Sequence, residues 1–498
     1  MRRTLRVWLT VAVLLMMVGP ATQTQGSLAA DTCEQLVAQR APDATIREAV
    51  LVSGGAFTPP QASTALTGLP DFCRVSAVVP PAINIEVWLP VESWNGRFQG
   101  VGGGGLAGVI SYGALANAVR EGYASASTDT GHVGGFDAAW AIGHPELLAD
   151  FGYRAVHEMT RVGKTVTEAF YATPPHHAYW VGCSTGGRQG LMEVQRYPTD
   201  YDGALIGAPA IDWSALHVAQ LWDARTTLTD PDAYLSPAQL VAVHEAVLAR
   251  WDAADGAADG VIGDPTVVQL DLSALQRAAG LSTARVEALR KLYQGPVDGA
   301  GQPVYPGLMP GGEALWPIVT AGPAPFGIGE AVYRDMVKQD PMWDWTSLDI
   351  DADLPAARVL FGDVLDTLDP DLTAFREHGG KLIVYHGFSD PLIAPERTRQ
   401  YFLSVIDTLG GRDAVDAFAR LYLLGGVGHC RGGAGADTFD GLGALVQWVE
   451  GGVPPTRMVA THLTDGRVDR ARPLCAFPRQ AHYGGAGNVA DATSWSCV

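Results

Sequence analysis

Gly182-Cys183-Ser184-Thr185-Gly186 follows an apolar run at 178–181 and precedes a helical pattern through Leu191 and Val194. Strand, glycine-bounded serine, then helix is the setting of a nucleophile elbow. The chemistry needs that shape. A sharp turn lifts the hydroxyl clear of the sheet, and small neighbours let the backbone bend tightly. The helix then aims its N-terminal N–H groups at a reacting oxygen. Taken alone, the motif leaves a second reading open, a Gly-rich turn with a bystander serine.

The flanking chain has the rhythm of a mostly parallel sheet. Residues 83–89 read as a strand with Ile83, Ile85, Val87 and Leu89 on one face, and 97–101 as another that runs into Gly102-Gly103-Gly104-Gly105. A short strand is expected over 123–128, and a helix over 153–171 with Pro174-Pro175 beyond it. The rhythm fades after Pro209, where Trp, Pro, Gly and Asp crowd the sequence. It resumes with a strand at 382–386, a helix at 396–409, a strand at 421–424 and a helix at 442–450 before Gly451-Gly452. The expectation is an α/β core split by an insertion. Its parts are a leader at 1–30, core at 31–210, an inserted domain at 211–355 and core again at 356–498.

A serine hydroxyl needs a base and a group to orient that base. In this architecture they follow in the order Ser, acid, His. Asp390 lies just beyond a late strand, in Tyr385-His386-Gly387-Phe388-Ser389-Asp390. His429 lies beyond the last strand, in Gly425-Gly426-Val427-Gly428-His429. Ligands of open α/β sheets bind at such C-terminal strand ends. His386 competes as base but lies at the strand end on the same segment as the acid; His378 and His462 also compete as base, and Asp363, Asp366 and Asp369 as acid, without the strand-then-loop setting. The oxyanion is expected to meet the N–H of Thr185 and, from the glycine run, that of Gly105.

Two cysteines sharpen this reading. Cys183 precedes the serine and Cys430 follows the histidine, so if Ser184 and His429 meet, these two must also meet. A bond there closes a loop of roughly 250 residues, for which chain entropy gives about 5 kcal/mol. The chain has six cysteines in all and no CxxC pair, which disfavours structural zinc.

Composition bounds the rest. The chain has 498 residues, 47% hydrophobic and 17% charged, which fits a globular protein. A net charge of −19 argues against nucleic acid or anionic membrane as partner. Arg2, Arg3 and Arg6 before an apolar run at 7–18 read as a signal peptide, with small residues for cleavage near Ala21 and at 27–30. Secretion, extracellular or periplasmic, is therefore expected. The segment 252–264 holds Asp252, Asp255, Asp259 and Asp264 among glycines, which suits Ca²⁺ and its hard oxygen ligands. An acidic solvated turn is the competing reading.

Cysteine beside serine, cysteine beside histidine, Asp between them and an Asp-Gly loop in a large insertion resemble the tannase/feruloyl esterase family. That family also includes mono(2-hydroxyethyl) terephthalate hydrolase. Asn95-Gly96-Arg97-Phe98, Thr128-Asp129-Thr130-Gly131-His132, Gly207-Ala208-Pro209 and Arg472-Pro473-Leu474-Cys475 look like family segments, and the likeness runs from Cys33 to Cys497. The resemblance implies an α/β-hydrolase core with a lid and a triad of Ser184, Asp390 and His429. It implies disulfides Cys183–Cys430, Cys33–Cys73 and Cys475–Cys497. It also implies a structural calcium held by side chains of Asp252, Asp255 and Asp259 and carbonyls of Ala257 and Val261. The expected activity is hydrolysis of small aromatic esters from plant cell wall or tannin, with feruloyl esterase first and tannase or terephthalate monoester hydrolase as alternatives. A non-catalytic calcium-stabilised binding protein requires a broken triad position, and none is found. Trp213, Trp316 and Phe326 are the candidates for an aromatic contact with substrate.

Overall fold

The computed structural model describes residues 29–498, so the leader expected over 1–30 falls almost wholly outside the described residues. One sheet has nine strands: β1 (Thr45–Val52), β2 (Phe72–Val79), β3 (Ile83–Pro90), β4 (Arg97–Val101), β5 (Ala124–Thr128), β6 (His177–Cys183), β7 (Gly203–Gly207), β8 (Lys381–Gly387) and β9 (Ala419–Leu424). Their order is β1-β2-β3-β5-β4-β6-β7-β8-β9. The pairs from β1 to β5 are antiparallel. Every pair from β5 across to β9 is parallel.

Parallel neighbours need crossovers, and helices supply them. These are α1 (Tyr112–Arg120), α2 (Ala155–Tyr171) and α3 (Thr185–Arg196). Alternation along the strands then builds two cores. In β6, Ala178 and Trp180 join Met159, Val162 and Val166 of α2 and Leu191 of α3, while Tyr179 and Val181 face the opposite cluster. β7 and β8 repeat the pattern: Ile206 and Val384 join the first cluster, Leu205 and Ile383 the second. Trp180 is fully buried, and truncating it to alanine costs about 3–5 kcal/mol.

Between β7 and β8 the chain is helical: α4 (Trp213–Leu228), α5 (Pro237–Trp251), α6 (Leu272–Ala279), α7 (Thr283–Gln294) and α8 (Ile350–Phe361) are its longer elements. Some of the Asp and Pro residues that make this stretch look irregular in sequence, and two of its serines, stand at helix starts. Ser236 forms a capping box before Pro237, and Asp271, Ser282 and Asp349 each accept N–H groups of the following turn. Leu240, Val243, Leu289, Leu292 and Trp316 give the insertion a core of its own. The sheet then resumes, α9 (Pro395–Thr408) joins β8 to β9, and α10 (Gly441–Gly451) packs Leu445 and Trp448 on the sheet.

The remaining chain forms two hairpins, β10 (Arg457–Thr464) with β11 (Arg467–Cys475), and β12 (Ala481–Tyr483) with β13 (Trp495–Cys497). All six cysteines pair, as Cys33–Cys73, Cys183–Cys430 and Cys475–Cys497. Among the described residues no helix is long and apolar enough to cross a membrane. This sheet with a serine elbow after β6 is the expected α/β-hydrolase arrangement.

Candidate active site

Ser184 sits between β6 and α3 with φ +64° and ψ −124°, a left-handed conformation that costs a non-glycine residue of order 1–3 kcal/mol. The surroundings hold it there. Its N–H donates to Gly207 O at 3.0 Å, and its carbonyl accepts from Arg188 N at 3.0 Å. The glycines of the motif are close approaches. A Cβ on Gly182 meets the Gly186 carbon at 2.6 Å, and one on Gly102 meets the Gly186 Cα at 2.6 Å. The glycine run and the elbow therefore touch backbone to backbone.

His429 joins the elbow from the loop after β9. Its Nε2 lies 2.9 Å from Ser184 Oγ, and its Nδ1 lies 2.7 Å from Asp390 Oδ2. The carboxylate is an acceptor, so Nδ1 carries the proton and Nε2 is free to take one from Ser184. Asp390 is fully buried, and its other oxygen accepts the N–H groups of Leu392 at 2.8 Å and Ile393 at 3.1 Å. Burial pushes the Asp390 carboxyl up, but the charge of His429 and hydrogen bonds from His386 and His429 outweigh it and hold it well below its ordinary range. Burial pulls the His429 imidazolium down, and the adjacent Asp390 charge more than reverses this, leaving it above its ordinary 6.5.

His386, the rival base, is spent elsewhere. Its Nε2 lies 3.1 Å from both Asp390 Oδ2 and Ile393 O, and its Nδ1 lies 2.8 Å from Thr398 Oγ1. Ile393 O can only accept, so this imidazole donates through Nε2 and gives Asp390 a second histidine partner. Asp366 is occupied by Ser214, and His462 by Asp469.

Thr185 and Gly105 are brought together by a hydrogen bond from Thr185 Oγ1 to Gly105 O at 2.5 Å. The Gly105 loop is anchored by Leu106, whose N–H donates to Gly135 O at 2.7 Å and whose carbonyl lies 2.7 Å from His132 Nε2. Gly105 and Thr185 line one cavity with Ser184 and His429. The rest of its wall is largely apolar: Phe136, Trp213, Leu216, Phe326, Ile328 and Leu392. Of the three aromatic candidates, Trp213 and Phe326 line this cavity, Trp213 as part of the buried core. Trp316 does not line it; it packs edge-on against Tyr293 at 5.0 Å in the core of the insertion.

Sequence reading missed His217 and Gln220, which also line the cavity. The signal was present. Trp213, Leu216, His217 and Gln220 stand at i, i+3, i+4 and i+7 of α4, one face of a helix.

The acidic loop lies apart, against β11. Asp252 Oδ1 accepts the N–H groups of Asp259 at 3.1 Å, Gly260 at 3.0 Å and Val261 at 3.1 Å, closing the loop on itself. Asp259 pairs with Arg472 through one carboxylate oxygen, while its Oδ1 is buried with no partner. Burial, then the charges of Asp259 and Asp252, push the Asp255 carboxyl up to about 6. Asp255, Asp259 and Val261 line a small cavity there. The unpartnered buried oxygen of Asp259 beside the crowded Asp255 carboxyl is the donor chemistry a hard cation takes, while the carboxylates of Asp252, Asp255 and Asp259 are not gathered around one point.

Comparisons with known proteins agree with this architecture. The family described as "Tannase and feruloyl esterase" matches residues 67–498. A probable feruloyl esterase B-2 of Aspergillus terreus is 36% identical over 461 residues, with 86% of each chain covered. An uncharacterized esterase of Xanthomonas campestris is 34% identical over 530 aligned positions, covering 94% of this chain and 92% of its own. Among solved structures, feruloyl esterase B from Aspergillus oryzae superposes with a TM-score of 0.88 at 30% identity, covering 94% of this chain and all of the other. Tannin acyl hydrolase from Aspergillus niger gives 0.79 at 25% identity, covering 94% and 95%. The chain belongs to the tannase and feruloyl esterase family of carboxylic ester hydrolases.

Proposed function

We propose that this protein is an exported serine esterase that cleaves esters of aromatic acids, ferulate-type hydroxycinnamates first, through an acyl-enzyme on Ser184. The observation that carries this is the unbroken relay from Asp390 through His429 to Ser184, opening on an aromatic-walled cavity. His429 Nε2 takes the Ser184 proton as Oγ attacks the ester carbonyl. The N–H groups of Thr185 and Gly105 meet the oxyanion, and losing one such donor costs about 3 kcal/mol of barrier. Collapse expels the alcohol, which takes the proton from His429. A water then repeats the sequence: His429 accepts its proton, hydroxide attacks the acyl carbon, and Ser184 leaves reprotonated with release of the acid.

The lining supports a neutral acyl group over a terephthalate monoester. No Lys or Arg is among the described residues of the cavity wall, and a free carboxylate calls for one. Across methyl ferulate, caffeate, gallate and a terephthalate monoester, ferulate is expected to give the highest kcat/KM. A gallate or terephthalate optimum overturns the acyl assignment. Export is supported by the basic and apolar start of the sequence and by the pairing of every cysteine.

The relay also fixes a pH dependence. His429 must be neutral to act, and its pKa is raised above 6.5. The acid limb of kcat/KM is therefore expected to have its midpoint above 6.5 and activity to fall as pH drops through it. Asp390→Asn removes the charge that raises it, so the limb moves to lower pH as the rate falls. A limb that stays in place uncouples His429 from Asp390.

Calcium in the insertion is proposed as purely structural, held by Asp252, Asp255 and Asp259 with the carbonyls of Ala257 and Val261. It takes no part in the steps above. Excess EDTA is expected to lower Tm, because free calcium at 100 times its Kd stabilises by about 2.7 kcal/mol. An unchanged Tm together with no calcium on elemental analysis removes the site.

A further inference from the structure

A second cluster of ionisable groups lies outside the relay and its cavity, where α2 and α3 meet the turn that enters β7. Glu193 of α3 is 1% exposed, and neither of its carboxylate oxygens has a donor beside it. An isolated buried carboxylate is among the costliest groups a fold can hold, so a proton or a cation must neutralise it. Burial, then the charge of Asp200, push the Glu193 carboxyl well up. Lys164 of α2 is the cation that faces it, but the Lys164 ammonium donates to the backbone carbonyl of Asp200 instead.

Two further groups able to ligate a metal converge on it. His157 Nδ1 of α2 and Asp200 Oδ2 of the turn lie 2.7 Å apart. One His157 ring nitrogen and one carboxylate oxygen from each of Glu193 and Asp200 all lie within 4.8 Å of one another. Ligand atoms around one zinc stand roughly 3–4 Å apart, so closing this set on an ion takes shifts of about 1 Å. The side chains free to make them are on the rim. Those of His157 and Asp200 are 23% and 14% exposed, which also gives an ion its way in from solvent. Tyr197 stacks on the His157 ring at 3.8 Å and holds its plane.

We infer that His157, Glu193 and Asp200 form a zinc-type metal site, with a fourth position left to water. An imidazole with two carboxylates suits Zn²⁺, whereas Ca²⁺ takes oxygen ligands alone. The lack of a CxxC pair bears on thiolate zinc and leaves this set untouched. The ion supplies the positive charge that Glu193 lacks, and it takes no part in ester cleavage. It clamps α2 and the turn before β7 to α3, the helix whose N-cap is Ser184.

The test is zinc binding in the presence of calcium. The protein is stripped with EDTA, exchanged into millimolar calcium so that the acidic loop is not the zinc acceptor, and titrated with zinc chloride by calorimetry. One equivalent is expected to bind, and zinc at 100 times its Kd to raise Tm by about 3 °C. Glu193→Gln and His157→Ala are each expected to weaken that binding at least about ten-fold. His157 is on the rim, so His157→Ala reports on the site even if Glu193→Gln fails to fold, and a native circular dichroism spectrum checks each variant. Asp252→Asn, in the acidic loop, is expected to leave zinc binding unchanged. A native protein that takes up no zinc overturns the site and leaves Glu193 a protonated acid bonded to Asp200. Binding that survives His157→Ala and Glu193→Gln, or that is lost in Asp252→Asn instead, overturns it as well.

Discussion

Ser184→Ala is expected to lower kcat for methyl ferulate by about a million-fold, with KM and Tm nearly unchanged. The magnitude follows from how the site is built. His429 Nε2 has Ser184 Oγ as its partner at 2.9 Å, and the other hydroxyl of the cavity wall, Thr185 Oγ1, is committed to Gly105 O. Without Oγ the remaining machinery is the oxyanion donors and substrate positioning, which retain only a residual acceleration over water. Stability is little affected because alanine keeps the same backbone. The left-handed φ of +64° is imposed by the Gly207 and Arg188 bonds to the backbone of residue 184, not by its side chain. His429→Ala is expected to cost about as much alone, and the double variant little more, since the two act as a unit. Turnover in Ser184→Ala above about one part in a thousand assigns the nucleophile elsewhere.

Much of this site is legible in the amino-acid sequence, and the reason is local. An elbow is dictated by residues within a few positions of Ser184, and the loops carrying Asp390 and His429 are dictated by strands that end just before them. Close approach explains the glycines: Gly102 and Gly186 touch, so neither tolerates a side chain. Strand β7 is illegible for a related reason. Its sequence is Gly-Ala-Leu-Ile-Gly, with glycines where a propensity argument wants bulk; a Cβ on Gly203 meets Leu445 and Tyr179 at 3.0 Å, so the position is packed from outside. The helices of the insertion are hidden by their own caps. The cavity wall is hidden for a different reason. Whether Trp213 or Trp316 faces substrate depends on how α4 and the later turns pack, and neither spacing nor composition records that. His386 shows the limit most sharply. It sits four residues before the acid and looks like a rival base, yet the fold turns it onto Asp390 as a second partner.

Replacing both Cys183 and Cys430 with alanine is expected to be the second-largest effect, and to strike stability and turnover together. The bond joins residues 247 apart in sequence. Chain entropy then gives about 5 kcal/mol of stability at most. For a protein of this size that corresponds to a fall in Tm of about 5 °C. The Cys33–Cys73 bond serves as control. It closes 40 residues between the N-terminal segment and β2, and the same reasoning gives about 4 kcal/mol. Loss of stability alone therefore does not distinguish the two. Turnover does. Cys183 and Cys430 flank Ser184 and His429, and Cys430 has a left-handed φ of +62°, a conformation its surroundings must hold. Freed of the bond, the His429 loop is anchored to the Ser184 side chain only by the 2.9 Å contact that catalysis itself uses. A displacement of about 1 Å there costs roughly a hundred-fold in kcat. The Cys33/Cys73 double variant, assayed well below its Tm, is expected to keep native kcat. A Cys183/Cys430 variant that loses Tm but keeps kcat makes this disulfide a staple for the fold, with the relay geometry set by packing of the two loops alone.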